Sequence, residues 1–253
     1  MPTVIGCIKD AIIQLSGRVE AVAKADYAEL ERVKAMVGKF ARLSNKTVFL
    51  LDHNTGNLVL LGYRRKVFLS HIDEAVESIA THVSLHEDFR QHLGAFISSL
   101  QQSRSEWLPS WRGENARFVF FAVADFNSEE HYPMVTSIYP VLKARDGRVW
   151  VTMAVIDRSV NQDAALCCLY DSDAGLLWKL GKRGNLERRH VFLDVVEEKI
   201  CSLLYAGYSP KEITKMLGLD RFKVNNVLKS LRLRFGQRKT RSVLIVLRIL
   251  KLL

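Results

Sequence analysis

The sequence lacks the features that define several common classes of protein. Its longest apolar run, residues 243–253, is well short of the roughly 20 residues of a membrane span and contains Arg248 and Lys251. The four cysteines form no C-x-x-C pair, which favours reduced thiols over a disulfide framework or a zinc site. We therefore expect a cytoplasmic protein that has no membrane contact.

Motifs for catalysis and for cofactor binding are also missing. Gly113 and Gly147 stand alone rather than in a glycine-rich phosphate loop, and no G-x-S-x-G element occurs. His82 and His86 have the i, i+4 spacing that can bind a metal on a helix, and His92 follows, but no cysteine accompanies them. We expect no enzymatic activity, no cofactor and no metal site.

The net charge of +10 is distributed unevenly along the 253 residues. Residues 194–253 contain 13 basic and 5 acidic residues, a net charge of +8, and no acidic residue follows Asp220. This basic block suits a polyanionic partner, because Lys and Arg commonly contact phosphates. On charge alone, a solvated basic tail is the alternative. The length suits two modest domains.

Apolar residues recur at helical spacing through residues 1–43, which predicts an N-terminal helical segment. These residues are Ile5, Ile8, Ile12, Leu15, Leu30, Val33 and Val37. The pattern fits either a capping or coiled-coil arm or helices that pack on their own domain, and both interpretations stay open.

Residues 44–163 predict an α+β domain with an antiparallel sheet. A β-hairpin is followed by helices, with Ile72, Val76, Ile79 and Val83 on one face, and then by three strands. The predicted ranges are 47–61 for the hairpin, 64–103 for the helices, and 117–123, 136–142 and 149–155 for the strands. Residues 164–190 predict a further hairpin, over 166–170 and 176–180, and a polar interdomain linker over 181–190.

The order of elements over 44–163 resembles a PAS domain, a small sensory fold. The opening hairpin turns at Asn54-Thr55-Gly56, and the closing hairpin crosses Arg145-Asp146-Gly147. The resemblance implies a pocket for a small-molecule or protein signal. The alternative is a front domain that serves only dimerisation or protein docking.

Residues 191–253 predict an all-α domain of four helices with local start and stop signals. Asp194, Ser209 and Asp220 are candidate N-caps, and Glu212 would complete a capping box with Ser209. Glycines at 207, 218 and 236 would end the first three helices. Two short helices joined by a glycine turn predict a helix-turn-helix.

The third helix of this domain has one apolar and one polar face. Val224, Val227, Leu228, Leu231 and Phe235 share the apolar face. At 100° per residue the opposite face carries Phe222, Asn225, Asn226 and Lys229, which we predict to read base edges, since Asn can bond adenine and Lys guanine. Predicted phosphate contacts are Ser209, Lys211, Arg221, Lys223, Arg232, Arg234 and Arg238.

Several spaced segments here resemble the LuxR-type (NarL/FixJ-type) DNA-binding domain. They are residues 207–214, 217–219, 223–225 and 235–236, and Glu197 falls where that family usually has a glutamate in its first helix. The resemblance implies a transcription regulator that binds double-stranded DNA. Asn225 replaces the family's usual Lys, so the base sequence that is read should differ.

In the LuxR family the last helix commonly pairs two subunits, so the resemblance implies a homodimer. The predicted interface residues are Val243, Val246, Leu247 and Leu250. A monomer with a deeply buried final helix is the alternative. A basic interaction protein without specific DNA readout also remains open.

Overall fold

The chain divides into two compact units, residues 1–174 with 178–188, and residues 175–177 with 189–253. The computed structural model describes residues 4–17, 19, 22–23, 26–44, 46–62, 83–85, 87–113, 115–126, 130–159, 166–181 and 183–253. Among the helices of these ranges, none is both long and apolar enough to cross a membrane.

The first unit is built on an antiparallel β-sheet. The strands of the sheet are β1 (Thr47–Asp52), β2 (Leu58–Gly62), β3 (Val83–Leu85), β4 (Ala116–Phe126), β5 (Glu130–Lys143), β6 (Val149–Arg158), β7 (Cys167–Asp171), β8 (Leu176–Leu180) and β9 (Leu186–His190). The strand order is β2-β1-β6-β5-β4-β7-β8-β9, and β3 pairs with β4. The predicted mixture of helices with an antiparallel sheet is therefore confirmed.

Helix α2 (Asp26–Ser44) covers one face of this sheet. Its inner side carries Leu30, Val33, Val37 and Ala41, which form one buried cluster with Val48, Leu50, Val151 and Val155 of β1 and β6. Burial of this stripe explains why α2 lies on the sheet. For α2, the interpretation of residues 1–43 as helices that pack on their own domain is therefore right. The interpretation as a separate arm is wrong for this helix.

Aromatic side chains fill the opposite face of the sheet. Val119 lies opposite Ser137, which lies opposite Val155, so Val119 faces α2, and Phe118 and Phe120 point the other way. Helices α1 (Val4–Ser16), α3 (Glu87–Gln102) and α4 (Arg104–Trp111) belong to this unit as well. Trp111 of α4 packs on Phe118 with ring centroids 4.5 Å apart, and both side chains are almost fully buried.

Two local predictions in the first unit are wrong. Val83, predicted as helical, lies in β3, where it pairs with Phe126 of β4, so tertiary pairing outweighs the local spacing. Ile72, Val76 and Ile79 lie outside the described residues. Residues 181–190, predicted as a linker, contain β9 over half of their length, because pairing at the sheet edge recruits a polar segment that has no apolar alternation.

A close approach of α2 to β2 gives a testable steric prediction. A Cβ added at Gly62 would lie 2.6 Å from the Cβ of Ala41, an atom fixed to the helix backbone. Gly62→Ala should therefore lower the free energy of unfolding by about 1–3 kcal/mol, measured by urea denaturation.

Gly94 of α3 is the matched control for this substitution. A Cβ at Gly94 would meet nothing within 4 Å, so Gly94→Ala should raise the free energy of unfolding by roughly 0.5–1 kcal/mol. Neither glycine has a positive φ, so the two substitutions differ in contacts rather than in backbone strain. Equal effects of the two variants would contradict the close packing of α2 on β2.

Candidate nucleic-acid interface

The second unit contains four helices, and residues 183–253 are described without a gap. They are α5 (Val195–Tyr205), α6 (Pro210–Leu217), α7 (Arg221–Arg234) and α8 (Thr240–Ile249). The three residues 218–220 connect α6 to α7, which confirms the predicted pair of short helices joined by a tight turn.

Side-chain caps fix where these helices begin. Asp194 accepts hydrogen bonds from the backbone N–H groups of Val196 and Glu197 at the start of α5. Asp220 accepts one from the N–H of Lys223 at 2.7 Å, which starts α7. Gly218 ends α6 with φ +62°, a left-handed conformation that glycine adopts without a Cβ penalty. The predicted caps of all three helices are confirmed.

A compact apolar core orients α7 against α5 and α6. Ile200, Ile213, Val224 and Leu228 form its buried centre, and Val227 packs against it. Leu231 and Phe235 continue the same side of α7 and are 1% and 0% exposed. The predicted apolar face of α7 is confirmed, and it leaves the opposite face of the helix toward solvent.

The four predicted base-reading side chains all lie on this exposed face. Asn225, Asn226 and Lys229 are exposed, and Phe222 is 81% exposed. A helix of 14 residues is about 21 Å long at 1.5 Å per residue, a rod that a DNA major groove admits. An exposed phenyl ring of this size beside two amides and an ammonium group offers both apolar and hydrogen-bonding contacts to base edges.

Five of the predicted phosphate-binding residues lie on α6, on α7 or just after the end of α7. Four of them are exposed, and Arg232 is half-buried; the five are Lys211, Arg221, Lys223, Arg232 and Arg238. Their ammonium and guanidinium groups can contact phosphate oxygens directly.

Ser209 and Arg234, the other two predicted phosphate contacts, have partners within the unit. The N–H and hydroxyl of Ser209 both donate to the Glu212 carboxylate at 2.7 Å, and these bonds lower the pKa of Glu212. An anionic carboxylate at this helix N-terminus disfavours a phosphate there, because like charges repel. The geometry therefore points away from a phosphate contact at Ser209.

Arg234 makes a bidentate ion pair with Glu197. Its Nη2 and Nη1 atoms donate to the two carboxylate oxygens at 2.7 and 2.9 Å, and Nη1 also donates to the Phe192 carbonyl oxygen at 3.1 Å. The Glu197 side chain is only 7% exposed. Arg234 thus connects α7 to the start of α5, a structural role that the local basic pattern did not reveal.

The predicted dimer-interface side chains of α8 are buried within the chain. Val243, Val246, Leu247 and Leu250 are at most 1% exposed. Side chains buried to this extent are not a surface that a second subunit can reach, so the assignment of these four residues to an interface is wrong. Leu244, Ile245 and Ile249 lie on the outer side of α8 and are half-buried.

Of the three histidines considered as metal ligands, His92 is the one among the described residues. His92 lies on α3, where burial lowers its pKa, while His82 and His86 lie outside the described residues. The absence of a metal stays a prediction.

Comparisons with known proteins gave distant structural similarities. The sequence matches no protein-family model, and no curated protein matches it. A phage VqmA in complex with DPO is 14% identical and covers 90% of this chain and 91% of its own, with a TM-score of 0.28. The VqmA dimer of Vibrio cholerae without target DNA is 14% identical over 86% of this chain and 88% of its own, with a TM-score of 0.28.

A third solved structure, an RNA-binding light-oxygen-voltage receptor, is 15% identical over 79% of this chain and 47% of its own, with a TM-score of 0.29. Similarities this low assign neither a family nor a function to the chain.

Proposed function

We propose that this chain is a dimeric, sequence-specific DNA-binding transcription regulator whose first unit senses a small ligand or a partner protein. The observation that carries the proposal is the solvent-facing side of α7. Asn225, Asn226 and Lys229 are exposed there together, while the other side of the same helix is fixed in the core of the unit. A helix anchored in this way can present a defined set of donors and acceptors to a major groove.

The charge around α7 supports DNA over a protein partner. All charged residues from Arg221 to the end of the chain are basic, and ten of them occur in that stretch. Phosphate contacts by such residues would position α7 on the duplex, while the amides of Asn225 and Asn226 supply the sequence preference. A protein-binding surface of the same size would ordinarily carry fewer charged residues at its centre.

Dimerisation would place two copies of α7 on two half-sites of one operator. Because the predicted interface residues of α8 are buried, a dimer through this helix would use its outer side, at Leu244, Ile245 and Ile249. In the proposed mechanism, a signal in the first unit changes the geometry of the dimer and thereby the spacing of the two recognition helices.

Selection of random DNA duplexes by the full-length protein at about physiological salt tests this function. The wild-type chain should enrich a near-palindromic motif. Asn225→Ala and Lys229→Ala should each blur one position of that motif, with a loss of about 1–3 kcal/mol against the preferred base. Lys211→Ala should weaken binding to all duplexes about equally, because a phosphate contact carries no sequence information.

The control is Lys199→Ala, an exposed lysine on α5 that should leave both motif and affinity nearly unchanged. Binding with no enriched motif, unaffected by the α7 variants, would contradict sequence-specific regulation. It would indicate a basic protein that contacts only phosphates.

A further inference from the structure

Arg117 is a buried cation that the proposed DNA contact does not use. It lies near the start of β4, in the first unit, and the residue is only 5% exposed. Its Nε and Nη2 atoms are fully buried and have no hydrogen-bond partner among the described residues. A buried guanidinium ordinarily pairs with a carboxylate, because leaving water without a counter-charge costs several kcal/mol.

Two tyrosine rings flank this guanidinium on neighbouring strands. Tyr170 of β7 lies directly opposite Arg117, with the ring centroid 5.3 Å from the guanidinium carbon. Tyr139 of β5 lies on the other side, with its ring centroid at 6.0 Å. The faces of both rings attract a cation, but cation–π contacts leave the N–H groups at the guanidinium edge without acceptors.

The positive charge of Arg117 acts on the groups around it. Burial raises the pKa of Cys168 to about 12, and the charge of Arg117 opposes this rise. For Tyr170, burial likewise raises the pKa and Arg117 again acts in the opposite direction. The guanidinium is therefore close enough to act on both groups, while the Asp171 and Asp173 carboxylates act on Tyr170 in the opposite direction.

The two unpartnered donors occupy one edge of the guanidinium. Nε–H and the adjacent Nη2–H are nearly parallel, and the spacing of two such donors matches the two oxygens of a carboxylate. Ser137 and Tyr139 on the adjacent strand are half-buried. Both residues share the Arg117 face of the sheet, because Ser137 lies opposite Val119.

We propose that Arg117, between Tyr139 and Tyr170, binds the carboxylate of a small organic acid. The carboxylate accepts both edge N–H groups, and the tyrosine rings pack against the guanidinium and the apolar part of the acid. This inference rests on the proposed sensory role of the first unit. The DNA-binding proposal is tested separately on α7, so failure of one is distinguishable from failure of the other.

The test is an anion titration of the full-length protein, followed by thermal unfolding and by the NMR signal of the Arg117 Nε–H group. The probes are sodium acetate and sodium benzoate, with sodium phosphate and sodium chloride at the same ionic strength as comparisons. The two carboxylates should raise the Tm saturably and shift the Nε–H signal, while chloride should do neither. A response to phosphate but not to the carboxylates would overturn the choice of ligand.

Two variants separate a bidentate site from a simple positive charge. Arg117→Met should have a higher Tm than wild type without any added anion, because an unpaired buried charge is removed, and should bind the carboxylates at least about tenfold more weakly. Arg117→Lys keeps a positive charge but offers no parallel pair of N–H groups, so it should lose the preference for carboxylates over chloride.

Arg145→Met, in the exposed turn between β5 and β6, is the control and should respond to the carboxylates as wild type does. Equal Tm responses in wild type and in Arg117→Met, or an unshifted Nε–H signal at saturating acetate, would show that Arg117 binds no carboxylate.

Discussion

Arg234→Met is expected to lower the free energy of unfolding of the second unit by about 3–5 kcal/mol. The substitution removes the guanidinium that donates to both oxygens of the Glu197 carboxylate. The Glu197 side chain is only 7% exposed, so its charge would be left buried without a cation. The N–H of Asp194 still donates to Glu197 at 3.2 Å, but one amide does not replace a bidentate cation. Hydrogen exchange of amides in α5 and α7 reports this unit separately from the first.

Arg232→Met is the matched control for this variant. Arg232 lies on the same helix two residues earlier and is half-buried. Its replacement should change amide protection by no more than about 0.5 kcal/mol. The double variant Glu197→Gln with Arg234→Met should recover part of the loss, because no charge then remains buried. An equal loss of protection in Arg232→Met and Arg234→Met would show that the ion pair contributes little.

The helices of the second unit could be predicted from sequence because their signals are local. Asp194, Ser209 and Asp220 each cap a helix through an amide no more than three residues away. Gly218 ends α6 through its own left-handed backbone conformation. The apolar and polar faces of α7 follow from the same helical repeat. Exposure of Asn225 and Lys229 was therefore predictable.

Features that depend on residues distant in sequence were missed. Arg234 has the same local context as the other basic residues of α7, and its partner Glu197 is 37 residues away. The resemblance noted at Glu197 in the sequence analysis was the one signal that could have indicated this pair. Burial of α8 stood only as the alternative to a dimer interface, because an apolar helix has the same pattern whether a core or a second subunit covers it.

The first unit shows the same distinction in its strands. The segment Val48–Leu51 has no alternation of apolar and polar residues and is buried on both faces. A short apolar run was therefore enough to predict β1. β9 has the opposite composition, with charged side chains that are mostly exposed, and only pairing at the sheet edge makes it a strand. Arg117 also follows this rule, since nothing in a strand that begins Ala116-Arg117-Phe118 marks the arginine as buried.

Acidification is expected to destabilise the first unit through His53. This residue is 2% exposed in the turn after β1, and its Nε2 is 3.1 Å from the Thr152 Oγ1. Burial lowers the pKa of His53 from 6.5 to about 4, while the Asp52 carboxylate and the Gly17 backbone act more weakly in the opposite direction. Below pH 6.5 the unfolded chain therefore binds a proton that the folded chain does not, so stability is lost as the pH falls toward about 4.

The full pKa difference corresponds to about 3 kcal/mol, and most of it should be lost by pH 4.5. The measurement is hydrogen exchange of amides in β1 and β2 at pH 7 and 4.5, in wild type and in His53→Gln. Carboxylates titrate in both proteins, so the difference between their pH dependences isolates His53: the variant should lose less stability than wild type on acidification. His190→Gln, at an exposed site in β9, should keep the wild-type dependence. If His53→Gln also showed the wild-type pH dependence of stability, burial would not hold the imidazole neutral. The turn after β1 would then tolerate a charge.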